Sequence, residues 1–439
     1  MPGTYARDKE ISMKTTAASL AALMMALAFP AVAQEVMDAR AVFDQAEAIC
    51  EADDGALWGV SLCGPILIVD PATRAVTASQ AGDSDILSED DGVFTGVLPD
   101  DVMIANTAVD WDGVRWTMLL APLPDEAEVR AGLIAHESWH RIQDQLGLPM
   151  ASPTPDHLAT AEGRIAMRLE WRALAAALSA PNAEGLRTAT HNALIFRAAR
   201  HAQAGEAGAE QERVLELNEG LAEYTGVKLS GALDPHRDVA ATLRAAEGAD
   251  AFSRMFAYAS GPAYGLLLDD AAPGWREGLT AESDLGALLG EAVGFTAPDD
   301  PVAVFARTAA LYGGQAVADE ELAAHQERAG LTTRWSDRLV DGPVLRLPLE
   351  NIRVSFDPNT LQPLPPHGVV YPTATITDVW GVLTVTDGAL IDGDWSAVTV
   401  TAPGDGDALS GDGWSLELTE GWRVAPGARD GDFVLESGE

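Results

Sequence analysis

The sequence predicts an α+β protein, with an antiparallel N-terminal sheet packed on a mainly helical middle and followed by a small C-terminal β-sandwich. Three observations predict it. Residues 56 to 122 alternate apolar and polar positions between turn signals, Asp125 to about Glu327 is alanine- and leucine-rich at helical spacing, and beyond about Leu345 short strand-like runs alternate with glycine- and aspartate-rich turns. A chain of 439 residues, 47% hydrophobic and 22% charged, is globular and too long for one ordinary core, so two or three domains are expected.

At the N-terminal end, Met13-Lys14 precedes an apolar run from Ala17 to Phe29, then Pro30 and the small-x-small triplet Ala31-Val32-Ala33. This is expected to be a secretory signal peptide over residues 1–33, too short and too interrupted to be a membrane anchor. Asp8 and Glu10 sit badly in a leader, so Met13 competes with Met1 as the start. Gln34, not cysteine, follows the expected cut, so no membrane or lipid anchor is expected afterwards. Export to the periplasm or medium places the only two cysteines, Cys50 and Cys63, in an oxidising compartment where a disulfide is expected. Closing so short a loop contributes on the order of 3 kcal/mol.

Residues 34–124 are read as the sheet-bearing part. Val36 to Ala52 is helical in pattern, Pro65–Val69 and Ala75–Ala78 flank the turn Asp70-Pro71-Ala72-Thr73, and Asp112-Gly113 separates Val102–Val109 from Val114–Ala121. Residues 125–345 form the helical part. Asp125, with Glu128 three residues on, offers an N-cap, and Gly147 and Pro149 a stop, so a helix is expected from about Glu126 to Gln145.

That helix carries His136-Glu137-Ser138-Trp139-His140. Histidines at i and i+4 project from one face and can bind one zinc ion, while the glutamate beside the first can reach a water at the metal. With 8 histidines in the chain, a chance H-E-x-x-H is expected on the order of 0.01 times, which makes the motif specific. The bland alternative is two satisfied histidines and a solvated glutamate on a surface helix. A catalytic zinc needs a third protein ligand. Gln143 and Leu146 stand where the metzincin glycine and third histidine would be, which moves the search to later carboxylates.

Glu212 to Ser230 has helical spacing and contains Leu217-Asn218-Glu219-Gly220-Leu221-Ala222-Glu223-Tyr224. With this segment the chain resembles the gluzincin metallopeptidases, the thermolysin-like and alanyl-aminopeptidase-like enzymes, whose second metal helix carries Asn-Glu-Gly or Asn-Glu-Ala. The resemblance covers these two helices. It implies Glu219 as the third ligand and Glu223 as the group that holds a ligand histidine by its other ring nitrogen. Gly220 and Ala222 are small, which would let the helix approach the metal. The 79 positions from His140 to Glu219 exceed the thermolysin-like spacing, and the helices between, about Pro155–Ala180 and Ala183–Gln203, would be an insertion over the cleft. Glu170 is the alternative third ligand, although Arg168 and Arg172 beside it favour an ion pair; His157 is a weaker one.

The expected function is that of an exported zinc-dependent metallopeptidase acting on peptide or protein substrates, with one zinc per chain and Glu137 as general base. Tyr258 or Tyr264 would supply the oxyanion donor, with His236 and Arg237 behind them. In gluzincins an edge strand before the metal helix pairs with substrate, a place that fits Trp116–Ala121 or Met103–Asn106; no Gly-x-Met-Glu-Asn is present, which disfavours aminopeptidase action. Two alternatives stand: a catalytically inactive zinc-binding attachment protein, against which the intact Glu137 speaks, and a zinc hydrolase of a non-peptide amide or ester. A net charge of −39, with Lys228 the sole lysine after the leader, excludes nucleic acid and anionic lipid as partners and suits a salty habitat. Residues 346–439 carry short strands, among them Ile352–Phe356, Ala374–Thr377, Gly381–Val385, Ala397–Val400, Trp414–Leu418 and Phe433–Leu435, and no readable chemistry.

Overall fold

The computed structural model describes residues 38–438 apart from 100, 250, 357–359 and 405–406. The expected signal peptide lies outside the described residues. The protein is α+β and divides into two compact units, one ending at Glu321 and one spanning Leu322–Glu439.

In the first unit, helix α1 (Ala39–Asp53) is capped by Asp38, whose side chain accepts from the Arg40 amide. Six strands follow: β1 (Ile66–Val69), β2 (Ala75–Ala78), β3 (Ser88–Asp90), β4 (Val93–Val97), β5 (Thr107–Trp111) and β6 (Val114–Leu120). Their order is β3-β4-β2-β1-β6-β5. The sheet is mixed, not antiparallel as expected, because the hairpin β5–β6 returns to lay β6 parallel to β1. The period-2 alternation sends Trp116 and Met118 to one face, where they meet Leu67, Val69, Val76 and Trp111. Leu119 points to the other face with Ile66, against Val42 of α1 and Leu133 and Ile134 of helix α2 (Ala127–Ile142). The expected edge strand is corrected too: Trp116–Leu120 lies inside the sheet, Met103–Asn106 is irregular, and β5 is the edge strand on that side, with β3 at the opposite edge.

Helix α2 is buried without interruption from Ala131 to Ile142, with sheet on one side and helix α5 (Leu221–Leu229) on the other. Its cap differs from expectation, with Glu126 at the N-cap and no side-chain cap bond. Helices α3 (Ala161–Leu178) and α4 (Ala183–Leu215) make the apolar core behind it. α4 is two arms: Gly205, at φ 74° and ψ 178°, breaks it, and pairing of Arg200 with Glu212 shows that the second arm folds back along the first. A π-helical turn, Glu216–Gly220, then leads into α5. Helices α6 (Pro235–Ala246) and α7 (Phe252–Ala271) complete the group around the site.

The second unit holds two sheets whose inner faces share one core of Leu345, Leu347, Ile376, Leu383, Val398, Val400 and Trp414, as a β-sandwich requires. Its seven- and six-stranded sheets also include strands beyond those expected from the sequence, such as Val344–Pro348, Gly368–Tyr371, Ala389–Asp392 and Trp422–Pro426.

Candidate metal centre

The site forms where α2 and α5 cross. A Cβ on Gly226 would lie 2.8 Å from the Gly132 carbonyl, so the close crossing requires glycine there. Gly220, expected to let the helix approach the metal, meets Gly261 of α7, where a Cβ on Gly261 would fall 2.3 Å from the Gly220 Cα. Glycine pairs on both sides of the α5 arm therefore bring α2 and α7 within side-chain reach of it.

From α2, the Nε2 atoms of His136 and His140 point at one another, 3.3 Å apart. From the π-helical turn, Glu219 Oε2 lies 3.7 Å from each of them. Both Nδ1 atoms are committed: His136 Nδ1 donates to Glu223 Oε2 at 2.9 Å and His140 Nδ1 to Gln143 Oε1 at 2.9 Å. Gln143 is held in that orientation because its amide donates to Asn218 Oδ1 and to the Pro149 carbonyl. Both imidazoles thus turn an Nε2 lone pair toward the same point, and two lone pairs at that separation need a cation between them. Burial opposes a proton on His136, but Glu137, Glu219 and Glu223 outweigh burial and push its pKa up to about 10.

His136, Glu137 and His140 form a buried group whose ligand atoms all lie within 4.8 Å of one another and which could hold a metal ion. Glu219 faces the same point, so two carboxylates are available beside two imidazoles. Donor atoms around a tetrahedral zinc stand roughly 3.3–3.5 Å apart, and the triangle of two Nε2 atoms and Glu219 Oε2 is close to that spacing. Glu137 has a different situation. Its Oε2 is buried with no hydrogen-bond partner among the described residues, and burial raises its pKa above the ordinary range despite the two histidines. Glu219 is heavily bonded: Tyr258 Oη donates to Oε2 at 2.5 Å and Arg254 Nη2 to Oε1 at 3.0 Å. Burial would raise its pKa, but His136, His140 and Tyr258 together hold it well below the usual carboxylate range. The Tyr258 ring lies parallel to that of His136, centroids 5.7 Å apart, and burial with the nearby Glu219 carboxylate keeps the phenol protonated.

The cleft above these groups is a cavity of about 810 Å³. Met103, Ile104, Leu120, Met150 and Met255 give it apolar walls, and residues of α6 and α7 close one side. No residue of α3 or α4 lines it, so these helices are core and not an insertion over the cleft.

Several expected residues lie elsewhere. Tyr264 is fully buried and donates to Glu170 Oε1 at 2.8 Å, away from the cleft, which removes it as an oxyanion donor. The position follows from helix geometry, since six residues along α7 turn it roughly 240° from Tyr258. Glu170 is removed as a third ligand because it is fully buried away from the cleft and the two histidines, against Arg200 and Tyr264. His157 donates to Glu212, His236 pairs with Asp270 and Arg237 with Asp238. Gln143, Ser152 and Arg254 join the site without having been expected there. Gln143 and Arg254 did carry a signal, at i+3 from His140 and one turn before Tyr258.

A buried ladder braces the arm that carries Glu219. Arg197 and Arg200 grip Glu216 and Glu212 with two hydrogen bonds each, and Glu170 closes on Arg200. Glu212, Glu216, Glu219 and Glu223 fall at spacings of four, three and four, which a regular helix would gather in one stripe. The π-helical turn, with the Leu221 amide bonded to the Glu216 carbonyl, inserts an extra residue and rotates the rest of the arm by about 100°. The first two carboxylates therefore meet α4 and the last two meet α2. Cys50 and Cys63 form the expected disulfide, and Arg141 beside the site donates to the Leu62 and Cys63 carbonyls of that loop.

No family model, curated protein or solved structure matches the chain.

Proposed function

We propose that the protein is a zinc-dependent peptidase of gluzincin type, with His136, His140 and Glu219 as ligands and Glu137 as general base. The observation that carries this reading is the convergence of two lone-pair nitrogens and Glu219 Oε2 beside a buried carboxylate oxygen that has no partner among the described residues. When bound, zinc supplies Lewis acidity toward a carbonyl and lowers the pKa of water.

The chain's own residues do the rest. Glu223 and Gln143 fix the imidazole tautomers, leaving Nε2 as the ligand atom in both. Glu137 takes a proton from the attacking water as the bond from water oxygen to carbonyl carbon forms. It returns the proton to the amine nitrogen as the carbon–nitrogen bond breaks. Tyr258, with its proton retained, would turn that proton from Glu219 Oε2 to the oxyanion that develops on the carbonyl oxygen. The apolar cavity walls exclude bulk water and accept the substrate's flanking side chains. Export to an oxidising compartment is part of this proposal. The Cys50–Cys63 disulfide supports it, and no helix among the described residues is long and apolar enough to cross a membrane.

Metal analysis with peptide-library cleavage tests the reading on three forms of the protein. The wild type should hold one zinc and cleave. Glu137→Gln should keep the zinc and lose turnover by about 100- to 10,000-fold, and Glu219→Ala should lose the zinc. Full zinc occupancy in Glu219→Ala, or undiminished cleavage by Glu137→Gln, overturns it.

A further inference from the structure

Arg254, on the first turn of α7, is among the described residues the sole lysine or arginine lining the cavity; the other charged groups described there are Glu137, Glu219, Glu223 and the two histidines. Only one of its nitrogens is engaged. Nη2 meets Glu219 Oε1 at 3.0 Å and Tyr258 Oη at 3.4 Å, and among the described residues Nε and Nη1 have no partner. The side chain is 58% exposed, toward the cleft. Tyr258 alone already donates to the Glu219 oxygen that faces the histidines, so the guanidinium has donors to spare. A planar fork with free donors matches a carboxylate, which it binds through two parallel hydrogen bonds.

Position decides what it would read. Arg254 Nη2 is 3.0 Å from Glu219 Oε1, and Glu219 Oε2 is 3.7 Å from each Nε2, so across one carboxylate the guanidinium stands within roughly 9 Å of that pair, no more than about three residues of extended chain. We propose that Arg254 is a specificity residue that binds a substrate carboxylate within three residues of the bond that is cut. The carboxylate is either the chain's C-terminus or an aspartate or glutamate side chain. The inference rests on the peptidase reading of the same cleft. It gives an acidic protein a local means of holding an acidic substrate that its −39 net charge would otherwise repel.

The test compares matched probes on the zinc-loaded protein. Cleavage is measured for an apolar peptide with a free C-terminal acid and for its amide. It is also measured for amidated peptides that differ only in glutamate or glutamine next to the scissile bond. Calorimetry measures binding of N-acetylphenylalanine and its amide. The wild type should favour at least one acid over its neutral twin by tenfold or more, in binding as in kcat/KM. In Arg254→Gln that ratio should fall toward one. Arg254→Lys, which keeps the charge beside Glu219 but lacks the fork, should lose most of the preference while holding zinc, and it decides the matter if Arg254→Gln loses the metal. Equal handling of acid and neutral probes by the wild type overturns the proposal. So does an acid preference that survives in both variants, since the acid then sits on the metal. Cleavage without acid preference defeats this inference alone, whereas Arg254-dependent acid binding without any hydrolysis defeats the peptidase reading alone.

Discussion

The two imidazoles are oriented by unequal partners, and that inequality should be measurable in metal affinity. His136 donates to the Glu223 carboxylate and His140 to the Gln143 amide, both at 2.9 Å. The Glu223 side chain is only 12% exposed, so water screens its charge little. A hydrogen bond to a charged group contributes about 1.5–3 kcal/mol and a neutral one about 0.5–1.5, which convert to roughly 10- to 150-fold and 2- to 12-fold in affinity. Part of the larger effect is returned, because Glu223 also helps hold a proton on His136 that the metal must displace. For Glu223→Ala we therefore expect zinc affinity at neutral pH to fall about 10- to 30-fold, and for Gln143→Ala by a few fold. Competition against a chromogenic chelator reads both, and thermal melting of the metal-free forms checks that each folds. Equal losses in the two variants, or a Glu223→Ala affinity within threefold of wild type, would refute the assignment of Glu223 as the stronger orienting group.

Packing and charge give two more expected outcomes. Gly226→Ala places a methyl against the Gly132 carbonyl and should cost about 1–3 kcal/mol of stability. It should also weaken zinc binding by spreading α2 from α5; a variant that melts and binds metal as the wild type does would show that the crossing is loose. Asp269 accepts from Tyr224, Lys228, Trp275 and Arg276, and although burial raises its pKa, these donors hold it below the ordinary carboxylate range. Its stabilisation is therefore full above the unfolded value near ~3.9 and lost as pH falls through the folded one. Asp269→Asn should be less stable by about 2–3 kcal/mol at neutral pH, with the gap closing on acidification below about pH 4. A gap independent of pH in denaturant titrations would exclude the ionised carboxylate as its source.

What the sequence made legible was local. His136, Glu137 and His140 stand on one helix with its stop signals nearby, so their face could be read from spacing alone. The placement of Glu219 could not, because a 3.6-residue period puts Glu212, Glu216, Glu219 and Glu223 in one stripe and gives no notice of the π-helical turn that divides them. Glu170 misled for a similar reason. Its neighbours Arg168 and Arg172 suggested an ion pair, but its partner, Arg200, comes from another helix, and the two neighbours pair with Glu320, Glu321 and Glu247 instead. Sheet order escaped as well: alternation fixed which residues of β6 face inward but not that β6 lies parallel to β1. The C-terminal sandwich was legible wherever its strands were apolar and continuous. It was not legible where a strand was as short as Gln362–Leu364, with Pro363 at its middle, or followed directly on a turn as Gly368–Tyr371 does.

The ladder along α4 constrains how this protein can change over generations. Removing either member of a sealed charge pair strands its counterpart, at about 3–5 kcal/mol, whereas exchanging both for well-fitted apolar groups is close to neutral. Lone replacements at Glu170, Arg197, Arg200, Glu212 or Glu216 should therefore be purged and joint ones tolerated. In lineages descended from this one, these five positions should drift together or not at all.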